Sequence, residues 1–421
     1  MIRRTVIRAG LTLAGATAAA FAYPLDGYET TGIRRLLGYR LAIEKKIQSS
    51  VALPAGAFLK SADVKLRLRG VNDAYDINSQ TPRDPYLKAG LDRIFGARDP
   101  SYSVAVVDIT DPRNPKYASL KADEKRIPGS VGKLFVATGF FGAVQKIRPG
   151  GGEERAKFLR GTVIPADKFV HRDGKTVPLY NPGDQAIGRR RVETGDKFNL
   201  WEWLDHMMSV SSNAAGSTVW QQALMMRHFG AKYPPSEAER AAYLSETPRN
   251  ELSDQALETL EAPLRESGLD TNKIRLGTFF TRNASSAIPG RGSYATPNEL
   301  MRWLIKMEQG KLVDEWSSLE IKRLLYFSRP RYRYASSPRL NKAAVFFKSG
   351  SLFECEPEPG FTCKQYQGNK TNLMHSVAVV ESEEKVYLVT MMSNVLRINS
   401  AVEHQTIAGE IEKLIQGRPA N

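Results

Sequence analysis

Apolar residues recur along this chain with two different periods, one typical of strands and the other typical of helices. Segments 376–380 and 385–390 are nearly continuous apolar runs rich in valine, which predicts two paired strands. Residues 102–108 carry the same signal. Residues 402–415 instead space their apolar side chains three and four positions apart, as an amphipathic helix does. The chain is therefore expected to mix helices with hairpin-connected strands.

Further helices are predicted in the first half of the chain. Helical patterns cover residues 32–47 and 87–95, and Asn199 is placed to cap a helix that starts with the next residue. Two tryptophans and two methionines follow at helical spacing: Trp201, Trp203, Met207 and Met208. We interpret them as core side chains in preference to a ligand cage.

The composition is that of an ordinary globular protein. With 421 residues, 42% hydrophobic and 25% charged, the chain is long enough for two core-forming layers. Its formal charge of +15 favours anionic partners. No nucleic-acid-binding motif accompanies that charge, so nucleic acid is not expected. The basic residues are scattered, which favours a generally solvated basic surface first and anionic polymers of the cell envelope second.

The first residues are typical of an export signal. Arg3, Arg4 and Arg8 precede a short apolar stretch, and residues 20–22 read Ala-Phe-Ala, an A-x-A cleavage site. The stretch is shorter than a membrane span requires. We therefore expect a signal peptide over residues 1–22 and a periplasmic or secreted protein. An uncleaved anchor and an ordinary amino-terminal helix are the alternatives.

The two cysteines lie close together in the sequence. Cys355 and Cys363 stand in a segment that contains proline and glycine. In an exported protein a disulfide is the natural interpretation, and a pair of free thiols is the alternative. Two cysteines and five scattered histidines do not form a usual zinc motif, so no metal and no cofactor are expected.

Three short motifs carry the chemistry of the chain. They are Ser130-Val131-Gly132-Lys133 (S-x-x-K), Ser211-Ser212-Asn213 (S-x-N) and Lys348-Ser349-Gly350 (K-S-G). Together and in this order they are the set found in serine acyl-transfer enzymes that act on penicillins. A second S-x-x-K match, Ser382 to Lys385, falls in the charged turn between two predicted strands and is interpreted as a hairpin tip.

The first two motifs supply a nucleophile and its base. A serine hydroxyl needs a basic group within hydrogen-bond reach, and on one helix face Lys133 is close enough to serve Ser130. Lys133 acts as a base only if its pKa is lowered, as burial beside a second cation would do. Ser211 is expected to relay a proton to the leaving group, while the Asn213 amide binds a substrate amide.

The third motif is expected to bind substrate. Lys348 would attract a substrate carboxylate, and Ser349 would add a hydrogen bond to it. Lys348 ends the apolar run 343–347, as expected for a strand whose far end faces the cleft, and Gly350 completes the motif. The backbone N–H groups of Ser130 and Ser351 are predicted to form the oxyanion hole.

From about Pro85 to about Leu414 the chain thus resembles the class A β-lactamase and penicillin-binding-protein-like serine hydrolase family. The segment Ala287-Ile288-Pro289-Gly290 and the helix start after Thr296 resemble the end of the family's Ω-loop and the helix that follows it. The resemblance implies an α/β (α+β) fold, in which an antiparallel sheet flanked by helices is set against a helical domain. The active site would lie between them.

The resemblance also sets the expected domain organisation. Residues 23–84 are interpreted as an amino-terminal extension and residues 85–417 as the hydrolase domain, with a helical subdomain over about 149–295. Within it, residues 157–188 and 233–266 are interpreted as insertions, the second as a helical lid or surface.

The chain departs from the β-lactamase pattern at two positions. Class A β-lactamases carry a glutamate shortly before the A-I-P-G segment, where it activates the deacylating water. The matching residue here is Thr281, with Ser285 in place of an asparagine, and no acidic residue occurs from 271 to 298. Met374 stands where many class A β-lactamases have an arginine that holds the substrate carboxylate, with His375 beside it as a structural residue or, less favoured, a substrate contact.

These departures favour one function over two others. We expect an exported serine acyl hydrolase that forms an acyl-enzyme on Ser130 and has D,D-peptidase-like action on cell-wall peptides. A β-lactamase with an atypical deacylation base is the first alternative, and a non-catalytic cell-wall-binding protein is the second. Cell-wall peptides or β-lactams would be the substrates. The sequence leaves the oligomeric state open.

Overall fold

The structure is a computed structural model that describes residues 25–51, 55–57, 59–326 and 331–418. The predicted signal peptide, residues 1–22, lies outside the described residues. None of the helices in the described part of the chain combines the length and apolar character that a membrane span requires.

Helices form where the sequence pattern predicts them, with small shifts of their ends. Their bounds are α1 Tyr28–Thr31, α2 Arg34–Ile43, α3 Pro85–Phe95, α4 Lys133–Ile147, α5 Gly152–Gly161, α6 Leu200–Ser209, α7 Asn213–Phe229, α8 Glu237–Glu246, α9 Arg249–Glu266, α10 Arg282–Ala287, α11 Pro297–Glu308, α12 Glu315–Tyr326 and α13 Ala401–Gln416. Asn199 caps α6 as predicted, since its side chain accepts a hydrogen bond from the Glu202 N–H.

In the described part of the chain, the strands form one central sheet and three short two-stranded pairs. Their bounds are β1 Ser103–Asp108, β2 Lys116–Leu120, β3 Val163–Pro165, β4 Val177–Leu179, β5 Gly188–Arg190, β6 Lys197–Asn199, β7 Ile274–Leu276, β8 Ser293–Ala295, β9 Ala344–Glu354, β10 Thr371–Glu381 and β11 Val386–Asn394. The central sheet has the order β2-β1-β11-β10-β9, and its neighbouring strands are antiparallel. The predicted pairing of the last two strands is thereby confirmed.

The K-S-G motif lies on the edge strand of this sheet. The apolar run ends at Lys348, as the sequence shows, but β9 continues to Glu354. The end of the apolar run is therefore not the end of the strand. Main-chain pairing with β10 continues, because the partners of Lys348 and Ser351 are Val377 and Met374 in unbroken register.

Each face of the sheet is covered by a hydrophobic layer. Alternate side chains point to opposite faces, so Phe346 joins the larger core built around the helices, and Phe347 joins the smaller core under α3 and α13. Helix α4 runs through the larger core, and the residues from Lys133 to Val144 are all buried. Trp201, Trp203 and the two methionines of α6 are also buried in it, which confirms their interpretation as core residues.

Helix α9 belongs to the core of the helical layer. It packs against α4 and α7, and Leu252, Leu260 and Leu264 are buried at that contact. The expectation of a lid or added surface over residues 233–266 is wrong for this helix. Its apolar side chains repeat at helical spacing and form one face, and that face packs against the largely apolar helix α4.

Residues before the first core strand also contribute to the core. Leu25, Leu36 and Leu68 are buried in the same layer as α4. Arg35 on α2 forms an ion pair with Asp205 on α6, and both side chains are only 2% exposed. This segment therefore packs as part of the main body.

The loop between β9 and β10 contains the predicted disulfide. Cys355 and Cys363 are bonded to each other, which confirms the disulfide and excludes the free-thiol alternative for these two residues.

Candidate active site

Ser130 lies in a short 3₁₀ turn, Gly129–Gly132, that leads directly into α4. Gly129 adopts a φ of 52° before it, which glycine allows at little cost. Ser130 is half-buried and Lys133 is the first residue of the α-helix. The turn places the two side chains on the same side, with Lys133 Nζ 2.9 Å from Ser130 Oγ.

The amine of Lys133 is surrounded by hydrogen-bond acceptors from the S-x-N motif. Its Nζ lies 2.8 Å from Asn213 Oδ1 and 3.1 Å from the Ser211 carbonyl oxygen. A neutral amine has two N–H donors and one lone pair. The two N–H groups therefore have acceptors on the S-x-N side, and the lone pair is left for the Ser130 hydroxyl.

Space for the buried lysine comes from a glycine on α7. A Cβ at Gly216 would lie 2.9 Å from Lys133 Cε and 2.8 Å from the Phe280 ring. The same ring lies 4.2 Å from Lys133 Nζ, a distance at which it stabilises the charged form by a cation–π interaction. Burial is the larger effect: it lowers the pKa of Lys133 to about 7, although the nearby Asp173 carboxylate acts in the opposite direction.

Ser211 lies at the junction of two helices in a strained conformation. Helix α6 ends at Ser209 and α7 begins at Asn213, so the chain must turn within three residues. Ser211 adopts a φ of 59°, which is uncommon for a residue with a side chain. The turn is held by Ser212, which caps α7 through the Ala215 N–H and donates its own N–H to the His206 carbonyl oxygen.

Lys348 reaches Ser211 from the sheet. Its Nζ donates to Ser211 Oγ at 2.9 Å and to the Ser349 carbonyl oxygen at 3.0 Å. Lys133 Nζ is 3.5 Å from the same hydroxyl. Burial, together with the charge of Lys133, lowers the pKa of Lys348 well below its usual value. The structure thus brings residues of all three motifs into one cluster.

Ser349 is buried next to this cluster and faces the other side of β9. Its hydroxyl has no hydrogen-bond partner among the described residues. β9 is an edge strand, so one side of its backbone is not paired with another strand of this sheet. A buried hydroxyl without a partner costs free energy unless something binds it.

Gly350 allows β9 to touch the turn that carries Ser130. A Cβ at this position would lie 2.4 Å from the Pro128 carbonyl oxygen and 3.1 Å from the Ser130 nitrogen. A Cβ on Gly129 would in turn lie 3.1 Å from the Ser351 nitrogen. The backbone amides of Ser130 and Ser351 therefore lie at the same contact, where the sequence predicts the oxyanion hole.

Comparisons with known proteins place this architecture. No family model and no curated protein matches the sequence. Among solved structures, a β-lactamase from Sphaerobacter thermophilus DSM 20745 superposes with a TM-score of 0.50 at 12% identity, covering 78% of this chain and 94% of its own. A mutant of PBP-A, in an acyl-enzyme complex with penicillin G, superposes with a TM-score of 0.50 at 12% identity, covering 80% of this chain and 100% of its own. A mutant of the class A β-lactamase of the last common ancestor of Gram-negative bacteria gives a TM-score of 0.50 at 15% identity, over 79% and 100%.

This chain has the class A β-lactamase and penicillin-binding-protein fold. The predicted fold class is confirmed, and the resemblance seen in the motifs holds at the level of the fold.

Within this fold, the position assigned to the β-lactamase glutamate has a structural role. Thr281 is buried at the start of α10, where its hydroxyl donates to the Phe169 carbonyl oxygen at 2.6 Å. Ser285 Oγ donates to the Phe279 carbonyl oxygen at 3.0 Å. These hydroxyls hold the loop, and neither of them is a base that activates water.

Met374 and His375, at the second departure from the β-lactamase pattern, are buried in β10. Met374 lies opposite Ser351, and His375 Nε2 is 2.9 Å from the Ile127 carbonyl oxygen. Burial lowers the pKa of His375 to about 4, so its ring is neutral at ordinary pH. This contact ties β10 to the segment before Ser130 and fits the structural interpretation of the histidine.

An arginine that the sequence reasoning missed lies beside the K-S-G strand. Arg333 donates to the Gly350 carbonyl oxygen at 2.9 Å and to Ser351 Oγ at 3.0 Å. It has a φ of 54° and is nine-tenths buried. No motif marks this residue, because it comes from a separate short turn, 333–336, that only the fold brings to β9.

The second residue that was missed is Asp173. It follows the short 3₁₀ turn Lys168–Val170 and accepts hydrogen bonds from Ser212 Oγ at 2.8 Å and the Ala214 N–H at 2.9 Å. It comes from the segment 157–188, which the sequence marked only as an insertion.

The other S-x-x-K match lies at a hairpin tip. Ser382 exchanges hydrogen bonds with the backbone of Lys385 between β10 and β11, as predicted. Across the described ranges, no three histidine, cysteine, aspartate or glutamate side chains come together in a way that would hold a metal ion.

Proposed function

We propose that this protein is a serine acyl hydrolase of the penicillin-recognising type that forms an acyl-enzyme on Ser130. The observation that carries the proposal is the cluster described above, in which Ser130, Lys133, Ser211 and Lys348 follow one another at distances of 2.9 to 3.5 Å. A nucleophile, a base within reach and a further group that orients the base are the usual signature of covalent catalysis.

Acylation begins with proton transfer from Ser130 to Lys133. The lone pair of the neutral amine accepts the hydroxyl proton as Ser130 Oγ bonds to the substrate carbonyl carbon. The N–H groups of Ser130 and Ser351 donate to the oxyanion that forms. The C–N bond then breaks, and the leaving nitrogen takes a proton from Ser211 Oγ. Lys133 or Lys348 then donates a proton to Ser211 Oγ to restore its hydroxyl. The acyl group remains on Ser130 as an ester.

Deacylation returns the enzyme to its starting state. A water oxygen bonds to the ester carbon as its proton passes to Lys133 or Ser211. The bond between that carbon and Ser130 Oγ then breaks, the carboxylic acid leaves, and Ser130 Oγ takes up the proton. The carboxylate of Asp173 raises the pKa of Lys133 through its negative charge. Its two oxygens, however, already accept hydrogen bonds from the Ser212 hydroxyl and from the backbone N–H groups of Ala214 and Lys175. It is therefore not placed as the base for this step.

The substrate carries a carboxylate on its leaving group, one carbon from the departing nitrogen, as an acyl-D-alanine peptide of the cell wall does. Lys348, the unpartnered hydroxyl of Ser349 and the guanidinium of Arg333 lie along the same stretch of β9 and support this assignment. A bound carboxylate favours the charged form of Lys348 and raises its pKa again. Asn213, whose Oδ1 contacts Lys133, would bind the substrate amide.

A β-lactamase is the second candidate, and it is favoured by the presence of β-lactamases among the structural neighbours. Against it stands the absence of any acidic residue from 271 to 298 in the sequence. General-base help is worth roughly 10²–10⁴-fold in rate, so an acyl-enzyme that lacks it persists.

Export to the periplasm or medium is part of the proposal. It is supported by the amino-terminal sequence of residues 1–22 and by the Cys355–Cys363 disulfide, which is stable in oxidising compartments. The positive formal charge supports contact with anionic polymers of the envelope.

Intact-mass spectrometry with penicillin G, followed over time, tests the proposal. We expect a stable adduct on the wild-type protein and on Ser382→Ala, and none on Ser130→Ala. A transient adduct with hydrolysed product would promote the β-lactamase candidate. Labelling of Ser130→Ala would refute the nucleophile assignment, and a wild-type protein that is never labelled would favour a non-catalytic binding role.

A further inference from the structure

The segment 157–188 connects two parts of the cleft that are far apart in sequence. On one side, the Phe169 carbonyl oxygen accepts a hydrogen bond from the Thr281 hydroxyl, and His171 Nδ1 lies 3.2 Å from the Asn283 amide nitrogen at α10. On the other side, Asp173 contacts the S-x-N segment. The turn between them is sharp, since Arg172 adopts a φ of 68°.

Asp173 is directed inward by this turn. It is 5% exposed, while its chain neighbours Arg172 and Gly174 are exposed. Its Oδ2 accepts from both Ser212 Oγ and the Ala214 N–H, and its Oδ1 accepts from the Lys175 N–H. A carboxylate is favourable here because Ala214 is in the first turn of α7, where the helix dipole attracts negative charge.

These contacts hold the residues on either side of the strained serine. Ser212 follows Ser211 directly, and Ala214 follows Asn213. Fixing both neighbours constrains where the Ser211 carbonyl and the Asn213 amide point, and these are the two groups to which Lys133 donates.

We propose that Asp173 is a positioning residue for acylation, which locks the Ser211–Asn213 segment in its strained turn and acts electrostatically on the base Lys133. This inference rests on the proposed function of that site. The hydrogen bonds of Asp173 go to Ser212, Ala214 and Lys175, so its effect passes through the S-x-N segment and through Lys133.

The charges around Lys133 come from three places. Asp173 and Lys175 lie on the loop, and Lys348 lies on β9, with Arg333 acting on Lys348 from the turn beside it. Asp173 raises the pKa of Lys133, whereas Lys175 lowers it. The two loop residues therefore have opposite effects, which makes them a matched pair for experiment.

Three variants separate charge from geometry. Asp173→Asn keeps an oxygen that can accept from Ser212 and Ala214 but removes the charge. Asp173→Ala removes both. Lys175→Gln removes the exposed cation, and Asp184→Asn, on an exposed turn of the same segment, is the control.

The readout is the pH dependence of covalent labelling by penicillin G. Because Lys133 must be neutral to act as a base, the rate falls on the acid side of its pKa. We expect Asp173→Asn to move this acid limb to lower pH by about one unit and Lys175→Gln to move it to higher pH. Asp173→Ala should slow labelling by about 10²-fold through misplacement of the segment. Asp184→Asn should match the wild type.

An acid limb that stays in place in Asp173→Asn and Lys175→Gln would overturn the electrostatic part of the proposal, and unchanged labelling of Asp173→Ala would overturn the positioning part. The titration of the Lys133 Cε resonance by NMR gives the same pKa comparison without any reaction. If the wild type is never labelled, the proposed function fails, while the NMR titration still decides whether Asp173 acts on Lys133.

Discussion

At the scale of single residues, two buried lysines share one serine hydroxyl. Lys348 Nζ is 2.9 Å and Lys133 Nζ is 3.5 Å from Ser211 Oγ. Two ammonium groups that both lie this close to one hydroxyl repel each other strongly when they are desolvated. Burial lowers the pKa of both amines, so near neutral pH the pair carries fewer than two full positive charges. One amine is therefore free to accept the proton of Ser130.

The lowered pKa of Lys133 predicts a pH dependence. Acylation requires the neutral amine, so the rate should rise with pH and reach half of its plateau near pH 7, the pKa of Lys133. Stopped-flow or quenched intact-mass measurements of penicillin labelling over this range would show it. Lys133→Arg, which remains protonated, should not be labelled at any of these pH values. A wild-type rate that is flat through this region would contradict the assignment of Lys133 as the base.

At the scale of elements, the site depends on how closely an edge strand approaches a helical turn. β9 meets the turn 129–132 at Gly350, where backbone lies against backbone. Since neither backbone has a flexible side chain that can move aside, the contact tolerates no Cβ. The geometry of the proposed oxyanion hole is thus set by the contact between two elements.

Gly350→Ala tests this contact. A Cβ only 2.4 Å from the Pro128 carbonyl oxygen must push β9 away from the turn, which should separate the amides of Ser130 and Ser351 and strongly reduce labelling. Overpacking of this kind costs about 1–3 kcal/mol of stability, measurable by urea denaturation. Gly161→Ala at the end of α5 is the control, because a Cβ there meets nothing within 4 Å. Wild-type labelling of Gly350→Ala would show that the oxyanion is bound elsewhere.

At the scale of the whole molecule, residues before the first core strand are joined to the helix that leads into Ser211. Arg35 on α2 pairs with Asp205 on α6, and both are buried. A buried ion pair contributes little beyond an apolar pair of similar size, but removal of one partner leaves an uncompensated charge. The stability of α6 therefore depends on a residue that lies 170 positions earlier in the sequence.

Arg35→Ala should consequently destabilise the protein by about 3–5 kcal/mol. The loss would be measured as a lower midpoint of urea unfolding. Arg40→Ala on the same helix is the matched control, since its pair with Glu29 is partly exposed and should contribute roughly 0–1 kcal/mol. Equal, small effects of the two substitutions would contradict the stabilising role of the buried Arg35–Asp205 pair.

The sequence by itself determined the chemical inventory and the main elements. The motif residues Ser130, Lys133, Ser211 and Lys348 could be named because their types and order are specific, and the strands 376–380 and 385–390 could be placed because the period of apolar residues is a local property. The disulfide between Cys355 and Cys363 was predictable for the same reason: the two cysteines are neighbours in the chain.

Only the tertiary structure decided the surroundings of that inventory. Arg333 and Asp173 carry no motif, because their roles arise from contacts with residues 17 and 39 positions away along the chain. The continuation of β9 beyond Lys348 follows from pairing with β10, which the interruption of the apolar run at residues 348–351 does not reveal. The sequence also does not show that α9 belongs to the core. Its apolar face is buried only because the fold places α4 and α7 against it. The protonation of Lys133 likewise follows from burial and from charges that the fold assembles, and no local pattern encodes either.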